Sequence, residues 1–533
     1  MRGNRQRRFF FIIPVFCMIA AVCFPQLASA DLTPQQERGK HIYFIGTSPS
    51  GGNITAYFGK DLLEIPGEGS TCASCHGYDG IGRPESGVIP TNVTWTYLMK
   101  SYGHIHPDGF EHAAFTVESL KRYMKEGFYP GEKRGDPAMP IYAISDQDLD
   151  DLIAFLMVLD LDLDPGITDT LVRIGIIYPE GGRLHETGEA MEHIISGYFR
   201  RLNDQGGIYG RKLQLVPVRV SGAAGAGPGQ LTAAISKNDV FALVSPVVPG
   251  RDKDLAAATE EEKIPVIGPF TLFPLEATVV NRYVFYIFAG LGEQLFALVD
   301  FASAEKELLN RPAVLLVPAI PSLKDLKTLV EERLQSRHWK EHITLEYGDR
   351  DFNPDSIAGT LKEKNAGAVL FVGSEKEFRS LAGAVERSGW DGKILVPGVL
   401  IGGAINDVSD ALRLQLAVAY PTLPSDRKEE AVQDLMQLSQ GLSGSPFEAS
   451  RILAYASAKL FAEGLGRTGR TLSRTGLITS LERLSTFRTD LTPEMRFNQN
   501  KRIGAFGAYI VTFTREHGEG KGLQASQRWI ALD

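Results

Sequence analysis

The residues with the clearest chemistry are two cysteines and a histidine in the segment Cys72-Ala73-Ser74-Cys75-His76. Two thiols at this spacing can form thioethers to the vinyl groups of haem, and the histidine that follows can ligate the iron. Thioredoxin-like sites and half zinc sites share the spacing. The first needs a strand-to-helix setting, whereas the surrounding glycines indicate a loop. The second needs another ligand pair, but the remaining cysteines, Cys17 and Cys23, fall in the apolar N-terminal segment. We therefore predict one covalent haem c.

A second axial ligand for the haem iron is predicted in the segment Asp136-Pro137-Ala138-Met139-Pro140. A thioether ligand raises the reduction potential of a haem, and the flanking prolines stiffen the loop that carries the sulfur of Met139. We expect His76 and Met139 to ligate the iron. The second ring nitrogen of His76 should donate to a backbone carbonyl, for which Pro84 and Pro90 are the candidates.

Other methionines and histidines in this region could compete with Met139. The methionines lie in apolar helical patterns and are predicted to pack in the core, and the loop histidines are predicted to be solvated. His41, in the first helix, is predicted to be structural. The methionines are Met99, Met124 and Met157, and the loop histidines are His104, His106 and His112.

The N-terminal segment has the features of an export signal. Four arginines precede an apolar run from Phe9 to Phe24, and Ala28-Ser29-Ala30 follows as a small-x-small cleavage site. The run contains Pro14 and is short for a membrane span, although retention as an uncleaved anchor is the alternative. We expect cleavage after Ala30 and a periplasmic location.

Composition and charge exclude several classes of protein. A chain of 533 residues exceeds one compact core, and its 43% hydrophobic and 23% charged residues are typical of globular domains. The net charge of −8 argues against a nucleic-acid partner. We find no metalloprotease motif, nucleophile elbow or catalytic pair of acids, so we predict no catalytic residues and no enzyme. A haem enzyme with an open iron site is the alternative if Met139 does not bind.

The elements around the cysteine pair occur in a definite order. Apolar spacing predicts helices over Thr33–Tyr43 and Val117–Lys125, and a C-terminal helix after Ser145. With the attachment segment and the Met-Pro loop, this order resembles a class I cytochrome c. The resemblance implies an all-α domain, here residues 31–160, that transfers single electrons. The stretch between Gly46 and Cys72 departs from the family and is predicted to be a surface insertion.

The pattern changes after a predicted linker over residues 161–170, where alternating acids and a Pro-Gly pair end the last helix. From Leu171, short apolar strands alternate with amphipathic helices. A strand over 171–177, a long helix around Met191 and a strand over 213–218 come first. This alternation predicts parallel sheets covered on both faces, with enough strands for two sheets.

Residues 171–533 resemble the type I periplasmic binding proteins, most closely the leucine/isoleucine/valine-binding subfamily. The resemblance implies two doubly wound lobes that are joined by three crossings and close on a ligand. We place the crossings near Ala289, Tyr420 and Phe497. Lobe 1 is then about 171–289 and 421–497, and lobe 2 about 290–420 and the end of the chain. The resemblance rests on the segments 174–176, 203–213, 241–244, 264–267, 283–285, 455–460 and 497–498.

Ligands of such sheets bind beyond the carboxyl ends of the strands. The resemblance implies that a serine and an Ala-Thr pair hold the carboxylate of an amino acid. The expected serine position holds Pro249, and the segment Phe270-Thr271-Leu272 does not place Ala-Thr in register. Ser245 and Thr271 remain candidate ligand-binding hydroxyls, with loop capping as the alternative. The candidate loops are 178–185, 245–251, 268–273, 318–323 and 373–377.

Together these features predict a periplasmic c-type cytochrome fused to a solute-binding module, similar to ABC-transporter substrate-binding proteins, that senses or binds a small molecule such as an amino acid. Its redox partner would be a periplasmic dehydrogenase or another cytochrome. In one alternative the module has lost solute binding and docks the haem to a quinoprotein-type dehydrogenase. In another it serves amino-acid transport with an ABC permease. Ligand-dependent stabilisation separates the docking module from the other two.

Overall fold

The computed structural model describes residues 32–532 except 78, 83–87, 89, 107–108, 161, 222–228, 275–280, 349 and 516–522. The export signal and its cleavage site after Ala30 lie outside the described residues. The chain forms two compact units, and the second begins at Leu163. Ile167 is buried and the Gly166 N–H donates to Asp239, so most of the predicted linker is part of the second unit.

The first unit has a helical core with small sheets around it. Its helices are α1 Pro34–Ile45, α2 Cys72–His76, α3 Trp95–Leu98, α4 Val117–Glu126 and α5 Asp146–Leu156. Its strands are β1 Thr55–Phe58, β2 Leu63–Pro66, β3 His104–Ile105, β4 Glu111–His112 and β5 Ile141–Ala143. The three helices expected from the sequence are α1, α4 and α5.

Helices α1 and α5 pack closely because Gly39 lies at their contact. A Cβ atom at this position would stand 1.9 Å from the carbonyl oxygen of Asp151. Phe155 is fully buried against Tyr43, with ring centroids 5.7 Å apart. Arg38 makes a bidentate ion pair with the buried carboxylate of Asp151. This helix pair forms the base on which the rest of the first unit is built.

The predicted surface insertion between Gly46 and Cys72 is a β-hairpin that belongs to a sheet. Strands β1 and β2 pair antiparallel, and β1 also pairs antiparallel with β5. Ala56, in the middle strand of this sheet, is fully buried. The insertion therefore attaches to the chain segment that directly follows Met139-Pro140.

In lobe 1 of the second unit, six parallel strands form a sheet in the order β16-β10-β9-β8-β6-β7. The strands are β6 Leu171–Pro179, β7 Lys212–Val220, β8 Ala242–Val244, β9 Val266–Ile267, β10 Val284–Phe288 and β16 Ile503–Ala505. The helices are α6 Arg183–Asp204, α7 Gly229–Asn238, α8 Asp252–Glu262, α16 Glu429–Leu438, α17 Ala449–Thr468 and α18 Arg474–Glu482.

Lobe 2 has a seven-stranded sheet in the order β12-β11-β13-β14-β15-β17-β18, with five parallel strands and two antiparallel ones at the end. The strands are β11 Ala313–Pro318, β12 His342–Tyr347, β13 Ala368–Phe371, β14 Lys393–Pro397, β15 Leu416–Tyr420, β17 Gly507–Arg515 and β18 Leu523–Ala531. The helices are α9 Leu291–Ala302, α10 Lys306–Leu309, α11 Lys324–Ser336, α12 Pro354–Glu363, α13 Glu375–Ser388, α14 Gly398–Ile401 and α15 Asp410–Arg413.

The chain crosses between the lobes three times. The first crossing, at residues 289–290, joins β10 to α9, and the second, at residues 421–428, joins β15 to α16. The third is the single residue Phe506, between β16 and β17. The expected position near Phe497 was wrong, because β16 adds one more strand to the lobe 1 sheet before the chain leaves it.

Candidate functional site

The two cysteines lie on the one-turn helix α2. The Thr71 hydroxyl caps this helix by accepting a hydrogen bond from the Ser74 N–H at 3.2 Å. One helical turn places Cys72 and Cys75 on the same side of the helix. Both cysteines adjoin the same cavity, and burial raises the pKa of the Cys72 thiol to about 12.

His76 ends the same helix and is buried. Its Nδ1 lies 2.7 Å from the carbonyl oxygen of Thr91 and donates to it, which leaves Nε2 available to a metal ion. Burial lowers the pKa of His76 and favours the neutral ring that a metal requires. The acceptor is Thr91 and not the expected Pro90, and Pro84 lies outside the described residues.

Met139 lies in a tight loop held at both ends. The Met139 N–H donates to the Asp136 carbonyl oxygen at 2.9 Å, and the Ala138 N–H donates to the Asp136 carboxylate at 2.9 Å. The Gly59 N–H, at the turn of the β1–β2 hairpin, donates to the Pro137 carbonyl oxygen at 3.2 Å. On the other side, Ile141 pairs with Tyr57 of β1. The inserted hairpin therefore holds the loop two residues before and two residues after Met139.

Cys72, Cys75, His76 and Met139 all line one cavity of about 1010 Å³, part of which is open to solvent. Two thiols, an imidazole with a free Nε2 and a thioether are the donor set that covalent attachment and axial ligation of haem require. The remaining walls are mainly apolar and aromatic. The residues present therefore fit haem c.

The loop histidines are part of the cavity wall, so the expectation that they are solvated was wrong. His104 and His112 are 6% and 8% exposed, and His106 also lines the cavity. The pairing of β3 with β4 sets His104 opposite His112, and aromatic side chains around them complete a buried cluster. Glycines and a proline interrupt the alternation of apolar and polar residues in this short segment, so the sequence did not indicate a hairpin.

The remaining candidates have structural positions. The His41 ring lies 2.8 Å from the Thr47 hydroxyl at the surface. Met99 and Met124 pack against apolar clusters, as expected, and Met124 also touches the cavity. Met157 is 40% exposed, so its predicted core position was wrong. It follows the last residue of α5 and points away from the packed face.

In the second unit, the structure does not bring Ser245 and Thr271 to a ligand surface. Ser245 is fully buried in a left-handed conformation with φ of 50°, and its hydroxyl has no hydrogen-bond partner among the described residues. The Thr271 hydroxyl accepts from the Phe273 N–H at 2.9 Å and also bonds to the Asp252 carboxylate. Its geometry is that of a loop cap.

A separate cavity of about 1410 Å³ lies between the two lobes. Lobe 1 contributes Asp252 and Phe273, and lobe 2 contributes Glu293, Phe296 and Leu326. Three of the five expected loops reach this cavity, namely 245–251, 268–273 and 318–323. Burial raises the pKa of Asp252 above its ordinary value, and the hydrogen bond from Thr271 opposes that shift. Sequence reasoning missed Asp252, Glu293 and Phe296. Asp252 begins α8, directly after the loop 245–251, and the other two lie on α9, which follows the first crossing.

The described residues contain no cluster of three or more histidine, cysteine, aspartate or glutamate side chains suited to hold a metal ion. In the same part of the chain, no helix is both long enough and apolar enough to cross a membrane.

The fold and the two sites define two classes of protein within one chain. The family model described as cytochrome c matches residues 68–160, and the family model described as periplasmic binding protein matches residues 171–519. The second match covers more than half of the chain, so the chain belongs to the periplasmic binding protein family, with a cytochrome c domain ahead of it. Both kinds of domain are typically non-enzymatic and exported. A cytochrome c domain implies covalently bound haem c.

Among solved structures, the second unit is similar to a fatty acid ABC transporter substrate-binding protein from Thermomonospora curvata, with a TM-score of 0.50 and 17% identity over 70% of this chain and 95% of that chain. It is also similar to a leucine binding protein from Thermotoga maritima, with a TM-score of 0.50 and 15% identity over 68% of this chain and 99% of that one. These likenesses show the two-lobed fold. No curated protein matches the chain in sequence.

Proposed function

We propose that the protein is a periplasmic c-type cytochrome that transfers single electrons and is not an enzyme. In this proposal Cys72 and Cys75 hold one haem c, and His76 and Met139 are its axial ligands. The supporting observation is that these four side chains line one cavity. Bound haem supplies the one-electron ferrous/ferric couple.

The protein itself immobilises these ligands and excludes water from the cavity. Thr91 fixes the ring orientation of His76, and the hairpin turn at Gly59 restrains the loop of Met139. Phe115 and Tyr129 are buried in the aromatic wall of the cavity. Rigid ligands and an apolar wall limit the rearrangement that a change of one charge would otherwise require.

For the second unit we propose that a small solute binds between the lobes. Phe273, Phe296 and Leu326 suit an apolar body. The carboxyl groups of Asp252 and Glu293 suit a hydrogen-bond donor or positive charge, and Arg251 and Lys253 in the same lining suit an acceptor. The relatives named above are named for a fatty acid and for leucine, both of which carry a carboxylate. Because Ser245 is buried and Thr271 is engaged as a cap, neither hydroxyl is available to a carboxylate. The proposed solute is an apolar molecule that carries an amine or a hydroxyl.

The second candidate function is a docking module that delivers the haem to a periplasmic dehydrogenase of the quinoprotein type. The position of Ser245, inaccessible in the core, is the observation that favours it. Service to an ABC permease would follow only if a solute binds.

Mass spectrometry of mature protein from a periplasmic extract tests the cytochrome. Haem mass retained after denaturation, with a mature N-terminus at Asp31, is the expected result. The double variant Cys72→Ala/Cys75→Ala should lose that mass, whereas the control Ser74→Ala should keep it. Loss of haem from the wild-type protein on denaturation would contradict covalent attachment.

Thermal unfolding with three matched probes tests the solute. Leucine, 3-methylbutylamine (leucine without its carboxylate) and hexanoate share an apolar body but differ in charge. A ligand at a hundred times its Kd stabilises the folded state by about 2.7 kcal/mol. We expect the amine to raise the melting temperature of the second unit, and Asp252→Asn to abolish the effect. Stabilisation by none of the three would favour the docking module.

A further inference from the structure

The second unit has another large cavity, which lies where the crossings join the two lobes. It measures about 1310 Å³ and is partly open to solvent, and we term it the hinge cavity. The segment 488–504 of lobe 1 forms one side, and strands β17 and β18 of lobe 2 form the other. Lys428 and Phe506, from the second and third crossings, also line it. Among the described residues, it shares no lining residue with the proposed solute site between the lobes.

Positive charges outnumber negative ones around the hinge cavity. The Glu494 carboxylate accepts hydrogen bonds from two guanidinium groups, with Oε2 bonded to Arg488 and Oε1 to Arg496 at 2.9–3.3 Å. Each guanidinium uses Nε and Nη2 for this contact, which leaves Nη1 as a further donor. The Asp490 carboxylate lies within 2.8 and 3.6 Å of two lysine ammonium groups. These belong to Lys428 and Lys459. Two cations therefore share each of these carboxylates, and each cluster keeps a net positive charge.

The other two charged groups that line the cavity do not cancel this excess. The Asp426 carboxylate accepts from the Tyr509 hydroxyl and from a hydroxyl and an N–H of its own crossing, so its hydrogen bonds come from neutral donors. Lys501 is half-buried, and its Nζ lies 5.1 Å from the ring centroid of Phe506. This ammonium group makes no ion pair with any residue that the structure describes. The groups in and beside the cavity therefore remain positively charged as a whole.

Aromatic rings supply the apolar part of the wall. Trp529 and Tyr509 stand edge to face with ring centroids 4.9 Å apart, and both are half-buried, as is Phe506. A half-buried ring beside an open cavity has apolar surface that a ligand can cover. Guanidinium donors match the planar oxygens of a carboxylate, and an ammonium group adds a compact charge. Excess positive charge beside an aromatic wall therefore suits an anion with a flat apolar body.

We propose that the hinge cavity is a binding site for a small aromatic carboxylate, separate from the haem and from the solute site. The carboxylate pairs with Lys501 and with the unused Nη1 donor of Arg488, and the aromatic ring packs on Trp529. These charged donors replace the water that the carboxylate loses when it enters the cavity. The inference goes beyond the proposed function, since it needs neither the haem nor a solute between the lobes. Because two crossings line the cavity, the bound anion also restrains them.

Isothermal titration calorimetry of the full-length holoprotein with isophthalate (benzene-1,3-dicarboxylate) at low salt tests the site. We expect isophthalate to bind, and isophthalamide, an uncharged molecule of the same shape, not to bind. Arg488→Gln/Lys501→Gln should weaken the binding of isophthalate at least about tenfold, because charged hydrogen bonds are lost. The control Arg387→Gln/Lys364→Gln removes the same charge from exposed positions of lobe 2 and should leave the affinity unchanged.

Hydrogen–deuterium exchange locates the bound anion. The Leu423 N–H donates to the Asp426 carboxylate and the Lys428 N–H to the Asp490 carbonyl oxygen, so exchange of the crossing 421–428 should slow when isophthalate binds. Absence of binding, equal affinity for isophthalamide, or equal affinity in the cavity variant and its control would overturn the proposal. Unchanged exchange at 421–428 with isophthalate bound would also overturn it, since the anion would then lie elsewhere. Absence of covalent haem would refute the proposed function and leave these results unaffected.

Discussion

Replacing Gly59 by proline should weaken the proposed bond between Met139 and iron from outside the haem cavity. Gly59 has a φ of 70°, which proline cannot adopt, and its N–H donates to the Pro137 carbonyl oxygen. Gly51 is a matched control in the same insertion. It has a φ of 86°, and its N–H donates to Ser48 at the same 3.2 Å, away from the loop of Met139.

The size of the effect follows from these two losses. A hydrogen bond of this kind contributes about 1 kcal/mol net, and the turn must also rearrange because proline cannot take a positive φ. If only the loss of the hydrogen bond affects the loop of Met139, the ratio of Met-ligated to Met-dissociated iron falls about fivefold. If the rearrangement of the turn affects the loop as well, the fall is larger.

Imidazole titration of the ferric protein measures this ratio, because imidazole must displace the thioether of Met139 before it binds. The apparent affinity for imidazole should rise at least about fivefold in Gly59→Pro and change less than about twofold in Gly51→Pro. Equal affinities in the two variants would refute the argument that the hairpin restrains the ligand loop.

Three further predictions concern stability. Gly39→Ala should lower the free energy of unfolding of the first unit by about 1–3 kcal/mol, because the added Cβ meets the backbone of α5. The control Gln35→Ala, on the exposed face of α1, should leave that free energy unchanged. Urea unfolding followed by haem absorbance measures both variants. Arg474→Met should lower the melting temperature of the second unit, measured by calorimetry. The Arg474 guanidinium donates to three backbone carbonyls at 2.6–3.0 Å, and loss of these hydrogen bonds leaves buried acceptors without donors. The control Arg470→Met, at an exposed position, should have no effect. Asp252→Asn should raise the melting temperature more at pH 7 than at pH 3.5. The folded-state pKa of Asp252 is raised, so the wild-type protein loses stability as pH increases from the unfolded pKa to the folded pKa of this carboxyl. A lower melting temperature of the variant at pH 7 would contradict this assignment.

Much of the fold could be predicted because apolar periodicity and capping residues agree with it. Thr33 and Ser145 cap α1 and α5 as the sequence indicates, and the buried central strands of both lobes are apolar runs. The strands β12 and β15 to β18 were missed, and of these β12 and β18 lie at the edges of the lobe 2 sheet. These two are half exposed and contain charged or polar residues, so they show no apolar run. Burial that depends on a strand's place in the sheet cannot be read from local composition.

The site was predictable where the chemistry is local and not where it depends on tertiary contacts. The spacing of Cys72, Cys75 and His76, the glycines around them and the lack of a second ligand pair together indicate the role of these three residues. The acceptor Thr91 and the burial of His104 depend on how loops of no regular pattern fold over the cavity. These loops take their positions from contacts with residues far along the chain, which the sequence does not display.

The one-residue crossing at Phe506 places an optical probe beside the hinge between the lobes. Gly507 lies so close to Trp529 that a Cβ atom there would stand 2.7 Å from its indole ring, and Trp529 lines a cavity together with Phe506. Trp339 and Trp390 are buried inside lobe 2, at 5% and 3% exposure, where rotation of the lobes leaves their surroundings unchanged. The emission of Trp529 should therefore respond to lobe closure, so that the native protein can report the binding of a solute by fluorescence without any attached dye.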